Sequence, residues 1–158
     1  MHVEYEKTQY APLHYILLAL AVTLLMGAWV ARAEPAAVIV LVGVAATLVL
    51  VALMFGSLTV RDEGDCLALR YGPLPAFRKQ IRYTDITAVE PGRTSIIDGW
   101  GIHYLPGRGT TYNLWGFGCV KLSLGRKVIR VGSDDVENLV TFLRGKIGAS
   151  PRREPFPS

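Results

Sequence analysis

Ser95, Asp98 and His103 lie close together in the chain. They are the residue types of a hydroxyl nucleophile, a base and the carboxylate that orients the base. The surroundings do not support that chemistry. No nucleophile elbow encloses Ser95, and His103 falls in an alternating run, Gly101 to Leu105, that reads as a strand. The triplets Gly99-Trp100-Gly101 and Gly116-Phe117-Gly118 read as turns, since neither leads from a strand into a helix as a phosphate loop does. Cys66 and Cys119 have no CxxC spacing, and each sits in an apolar alternating stretch, as a small buried hydrophobe of a reducing compartment would. His2, His14 and His103 share no ligand spacing either. With no Walker motif, no HExxH and no paired carboxylates, the chain is not expected to be an enzyme or to need a metal or cofactor.

The remaining chemistry is that of charge. Basic residues gather at Arg78, Lys79 and Arg82 and again at Arg126, Lys127 and Arg130, with Arg108 and Lys121 as extensions. Period-two alternation puts Arg78 and Arg82 on one face of a strand, with Gln80 between them. Such a patch suits an anionic lipid surface or an acidic protein; a solvated sheet face explains it equally. Nucleic acid is not expected, because no binding motif accompanies the charge. Trp100, Trp115, Phe117 and Tyr112 flank glycine-rich turns. Tyr112 is expected in the core and Trp100 exposed, as an interfacial anchor. The patch residues and Trp100 are the candidate partner- or lipid-binding residues.

Two long apolar segments must position this surface. Leu13 to Ala31 and Ala36 to Phe55 contain no charged residue, and about 20 apolar residues suffice to span a bilayer. Neither has a polar face at helical period. Only Arg32-Ala33-Glu34-Pro35 separates them, so two antiparallel transmembrane helices are expected, 13–32 and 36–55. A cleaved signal is not expected: the apolar run is too long and a second span follows at once. Lys7, Arg61 and Arg70 flank the outer ends against Arg32 in the connection, which places both termini in the cytoplasm. Gly27, Ala28, Gly43, Ala45 and Ala46 are small enough for close helix contact, with each other or with other subunits. No ionisable residue lies in mid-span, which argues against a channel, pump or proton relay.

Of the 158 residues, those after Gly56 hold 15 Lys/Arg against 10 Asp/Glu, so the second part carries +5 by itself and the net charge of +4 understates it. There the pattern changes to alternation. Strands are expected at Leu58–Arg61, Cys66–Tyr71, Phe77–Tyr83, within Asp85–Glu90, and at Gly101–Leu105, Thr111–Trp115, Cys119–Leu124 and Lys127–Val131. Asp62-Glu63-Gly64-Asp65 reads as an acidic turn. A helix follows, with Asp134 and Glu137 in capping-box spacing and Val136, Leu139, Val140, Leu143 and Ile147 on one face. The fold class expected is α+β: a helical hairpin (13–56), then a bent antiparallel sheet or partial barrel of about seven strands capped by a C-terminal helix (57–148). Residues 1–12 form a cytoplasmic N-terminal segment and 149–158 a flexible Pro-rich tail.

The order of elements resembles the bacterial pleckstrin-homology-like (PH-like) domains of small membrane proteins. The resemblance runs over Leu67 to Gly72, Ile81 to Val89, Gly99 to Ile102, Tyr112 to Leu114 and Val120 through Asp135 to the closing helix. It implies an interaction module on the cytoplasmic side of the inner membrane. The acidic turn at 62–65 stands where inositide-binding PH domains carry Lys/Arg, so inositol-lipid recognition is not implied. The leading expectation is a membrane-anchored scaffold for a protein partner. The alternatives are an accessory subunit of a membrane complex, packed through the hairpin, and an anionic-lipid sensor; self-association stays open.

Overall fold

A computed structural model describes residues 4–75, 77–94, 101–107 and 109–149. Trp100, Arg108, Ser95, Asp98 and the tail beyond Ala149 lie outside the described residues. The chain begins with a strand, β1 (Glu6–Tyr10), where the sequence reading assigns no element. Helices α1 (Leu13–Val30) and α2 (Pro35–Met54) follow, then strands β2 (Ser57–Asp62), β3 (Cys66–Gly72) and β4 (Arg78–Arg82). A 3-10 turn (Tyr83–Asp85) leads to β5 (Ala88–Arg93), β6 (Gly101–Leu105), β7 (Gly109–Asn113), β8 (Gly118–Leu124), β9 (Lys127–Gly132) and helix α3 (Val136–Ala149). The class is α+β, with two apolar helices, two sheets and a C-terminal helix.

The two helices are 18 and 20 residues long, about 27 and 30 Å, and long and apolar enough to cross a membrane. Pro35 begins α2, where a missing N–H costs no hydrogen bond. Their buried positions are Ala21 and Ala28 in α1 and Ala45 and Ala52 in α2. Seven-residue spacing keeps each pair on one face, and the missing side-chain bulk lets the backbones approach. Of the small residues expected at this contact, Ala28 and Ala45 are there, and a Cβ added at Gly27 would meet Leu41 Cδ1 at 3.8 Å. A Cβ added at Gly43 would meet nothing within 4 Å, and Ala46 is exposed. Large side chains such as Ile16, Met26, Trp29 and Ile39 stand 60 to 72% exposed.

β1 pairs antiparallel with β2, Glu6 opposite Arg61 through Tyr10 opposite Ser57. The helical pair is therefore an insertion between two neighbouring strands, and Ala11 N–H still donates to Gly56 O across its base at 3.3 Å. The first sheet runs β1-β2-β3-β4 and the second β5-β8-β9-β7-β6. Among the described residues there are nine strands in two sheets that do not close into a barrel, where one bent sheet or partial barrel of about seven strands is expected from the sequence. The second sheet is also not wholly antiparallel, because β7 and β9 run parallel. The segment from Leu114 to Phe117 carries the chain across to the far side of β9, and Asn113 holds it by donating to Gly116 O at 3.1 Å. Gly132 is needed beside it: a Cβ there would lie 2.2 Å from Asn113 Oδ1.

Alternation places Leu58 and Val60 of β2, Leu67 and Leu69 of β3, and Leu122 and Val131 of the second sheet in one core. Leu139, Val140 and Leu143 of α3 complete it, with Val136 and Ile147 at its margin. The start of α3 is one residue later than the capping-box spacing suggests. Leu139 N–H bonds Asp135 O, so Asp135 takes the cap position and Ser133 Oγ accepts from its amide.

The same alternation turns Asp62 inward behind Leu58 and Val60. Its carboxylate is buried, accepts from Tyr83 OH at 2.8 Å and Gly64 N–H at 3.0 Å, and pairs with Lys146 of α3 at 3.2 Å. Lys146 also reaches Glu4 at 2.8 Å, while Tyr5 stacks on Phe142. The C-terminal helix thus clamps the N-terminal strand onto β2. Burial alone would raise the Asp62 carboxyl, but the bonds from Tyr83, Gly64 and Lys146 outweigh it and hold it below the usual value.

Two outcomes follow. Asp62→Asn should cost about 1–3 kcal/mol, since it removes the charged acceptor of Tyr83 OH and Gly64 N–H at a buried site and leaves Lys146 paired with Glu4. Because the folded carboxyl is the more acidic one, its contribution is complete above the unfolded value near 4 and fades as pH falls through the lower folded value. Chemical denaturation between pH 2.5 and 7 should show that acid loss, and the variant should show less of it. In the hairpin, Ala45→Leu should lower stability in detergent by about 1–3 kcal/mol through overpacking. Gly43→Leu, facing open space, should leave the melting temperature unlowered.

Candidate functional site

The acidic turn between β2 and β3 is electrically occupied. Glu63 pairs with Arg70 and, at 3.0 Å, with Arg78, and accepts from Gln80 Nε2 at 2.7 Å. The Gln80 bond, against some desolvation, and the Arg78 and Arg70 bonds hold the Glu63 carboxyl below the usual carboxylate range. Arg78 and Gln80 belong to the outer face of β4 together with Arg82, as alternation predicts. Lys79 belongs to the other face, shared with buried Ile81.

Lys79 therefore points into the space between the sheets. A groove of about 450 Å³ opens there, lined by Lys79, Arg126, Lys127, Tyr104, Tyr112 and Thr110, with no carboxylate in its walls among the described residues. Arg126 is delivered by the tightest available connection. Leu124 pairs with Lys127 across a two-residue turn, with Gly125 at φ +60°. Arg126 keeps a negative φ, which makes this a type II′ hairpin turn. Lys79, Arg126 and Lys127 are all exposed. A second cavity, also about 450 Å³, adjoins the groove through shared Lys79 and Tyr112 and is lined mainly by Phe55, Leu69, Tyr71, Phe77 and Ile102. Together they form one cleft, aromatic at one end and cationic at the other.

The strand directions fix which end is which. Gly101 lies beside Phe55, at the base of the helices, with His14 and Leu17 nearby. β6 runs from there to Leu105, about 13 Å along the strand. The basic half of the cleft is thus remote from the helices and the aromatic half adjoins them.

The two basic clusters of the sequence are in this way divided and recombined. Lys79, Arg126 and Lys127 meet at the groove, whereas Arg78 is held by Glu63. Arg82 is exposed on the outer face of β4. Arg130 is half-buried on the face of β9 opposite Lys127 and stands across from Lys121, which pairs with Glu90 at 3.0 Å. Tyr112 and Trp115 are partly buried against the core and Phe117 is 42% exposed. His103 is exposed on β6. Among the described residues no three His, Cys, Asp or Glu side chains come together as a metal site would require. Tyr104, 72% exposed at the groove mouth, went unnoticed in the sequence; its alternation with Ile102 was the available signal.

The sequence matches no family model, and neither a curated protein nor a solved structure matches the chain.

The division of the arginines has a measurable side. Arg78→Ala should destabilise the domain by about 0.5–1 kcal/mol, modest because the pair is half-exposed. Lys79→Ala and Lys127→Ala should stay within about 0.5 kcal/mol of the parent. Urea denaturation of the three variants checks this ordering.

Proposed function

We propose that this chain is a non-enzymatic docking module, anchored in the inner membrane by its helical hairpin and presenting the inter-sheet cleft to a protein partner in the cytoplasm. The observation that carries the reading is the insertion of the hairpin between β1 and β2. Both helices leave the β domain from one end, with bulky apolar side chains turned outward. A pair of exposed apolar helices about 30 Å long matches the hydrocarbon core of a bilayer. In the sequence Lys7 and Arg61 flank the outer ends of the two spans, against Arg32 alone in the connection, in keeping with a cytoplasmic domain. The order of elements, sheet strands followed by one closing helix, is the support for a PH-like domain; the parallel β7–β9 pair is a departure from a simple meander.

A protein is favoured over the lipid surface as the ligand of the basic groove. The groove lies about 13 Å along the strands from the helix base, beyond a headgroup layer of about 5–7 Å on each side. Attraction of roughly 1 kcal/mol per cation applies to residues near the surface and falls off within a Debye length. The open face around Gly43 supports a second reading, an accessory subunit held by its helices.

Site-specific photo-crosslinking in intact cells separates the readings. A photoreactive residue at Tyr104 or Lys127 should give a discrete protein adduct, and one at Lys121 on the outer face should not. Adducts from Ile39 or Val40 alone would replace docking by the subunit reading.

A further inference from the structure

β4 has β3 on one side and, among the described residues, no strand on the other. Its hydrogen-bonding phase can be read from the ladder. Tyr71 N–H donates to Phe77 O at 3.0 Å, and Tyr83 N–H donates to Asp65 O at 3.1 Å. Between these, Leu69 stands opposite Lys79 and Leu67 opposite Ile81. Bonded and non-bonded pairs alternate in an antiparallel ladder, so Phe77, Lys79, Ile81 and Tyr83 aim their backbone groups at β3. The N–H and C=O groups of Arg78 and Gln80 and the N–H of Arg82 consequently face outward without a strand partner, while Arg82 C=O serves the 3-10 turn that it caps. That is the template an extended chain requires.

The side chains beside this edge say what kind of chain fits. Toward the helices the cleft offers Phe55, Tyr71, Phe77 and Ile102; toward the far end it offers Lys79, Arg126 and Lys127, and among the described residues no carboxylate lines either half. A second copy would set Arg78, Lys79 and Arg82 against themselves, and like charges across a strand pair are unfavourable. The chain's own C-terminal sequence, with Arg152, Arg153 and three prolines after Ala149, meets neither the charge nor the strand requirement. We infer that the outer edge of β4 takes up an extended acidic segment of a partner protein as an added strand, its apolar side chains in the aromatic half of the cleft and its carboxylates against Lys79, Arg126 and Lys127. This rests on the docking reading and adds to it the conformation and charge of what docks. Charged edge residues also guard a strand against non-specific pairing; acidic partners alone turn the guard into a recognition element.

The test uses the full chain in nanodiscs of uncharged phosphatidylcholine and a short synthetic peptide that is Val-rich in one half and Glu-rich in the other, so that one strand face can offer apolar groups to the aromatic end and carboxylates to the basic end. This peptide should bind at least about tenfold more tightly than its Lys–Val counterpart. Amide exchange should slow at Arg78, Gln80 and Arg82, and hardly change at Lys79 and Ile81, which are already bonded. Arg82 has φ −69°, so Arg82→Pro removes an outward N–H without disturbing the β3 ladder. Arg82→Gln removes the charge alone. The proline variant should bind about fivefold more weakly than the glutamine variant. Equal affinity of those two variants, or unchanged exchange at the three amides, overturns strand addition. If Lys79→Glu and Lys127→Glu still abolish binding of the acidic peptide in that case, the docking reading survives. Failure of the acidic peptide to bind, with binding instead to phosphatidylglycerol vesicles, overturns both.

Discussion

The pairing of β1 with β2 is the constraint on which the rest of the architecture hangs. Ala11 to Gly56 depart from the sheet and return to it one residue spacing away, so two long helices must begin and end at one point. A flexible loop of that length would carry a closure cost that grows only slowly with length. Here the segment is stiff: the alanine faces of α1 and α2 zip it into a rod. The ends are then held by contacts that the hairpin itself does not make. Lys146 joins Glu4 to Asp62, and Phe142 stacks on Tyr5, so the last helix fixes the first strand.

The distribution of charge follows from that arrangement. An inward carboxylate at Asp62 is tolerable only because Tyr83, Gly64 and Lys146 replace its water. Glu63, one residue on, turns to the outer face and gathers Arg70, Arg78 and Gln80. What looks in sequence like an acidic turn beside a basic strand is an ion-paired network, which ties Arg78 to Glu63 at the margin of the cleft. The cations left to the cleft are Lys79, from the opposite face of the same strand, and Arg126 and Lys127, brought to it by a two-residue turn. They are the groove's only charged walls among the described residues, which gives it a definite sign.

The helices and most strands were legible in sequence because their signals are local. Long uncharged apolar runs, period-two alternation and glycine at turns each report on neighbouring residues. The boundaries of β3, β4, β6, β8 and β9 fall within a residue of those expected. β1 was not legible: Glu6-Lys7-Thr8-Gln9-Tyr10 has no apolar alternation, and its strand state comes from pairing with residues on the far side of the hairpin. The parallel β7–β9 pair was hidden for the same reason, since it depends on where the chain crosses at 114–117. The clustering of Lys79 with Arg126 and Lys127 is a property of two sheets meeting, which no single strand records. Asp62 was legible in principle. Counting by two from Leu58 and Val60 puts it on the core face, but its place at the head of an acidic run disguised it as part of the turn.

The claim on which the functional account stands is that the hairpin crosses a membrane while the β domain stays on the side of both its ends. Cysteine accessibility tests it directly, in a Cys66→Ser background with Cys119 buried. Intact spheroplasts are treated with a membrane-impermeant maleimide before and after permeabilisation. Ala33→Cys, in the connection between α1 and α2, is expected to react before permeabilisation, and Tyr104→Cys, at the groove, only after it. Reaction of Tyr104→Cys in intact spheroplasts, or protection of Ala33→Cys there, would contradict the account.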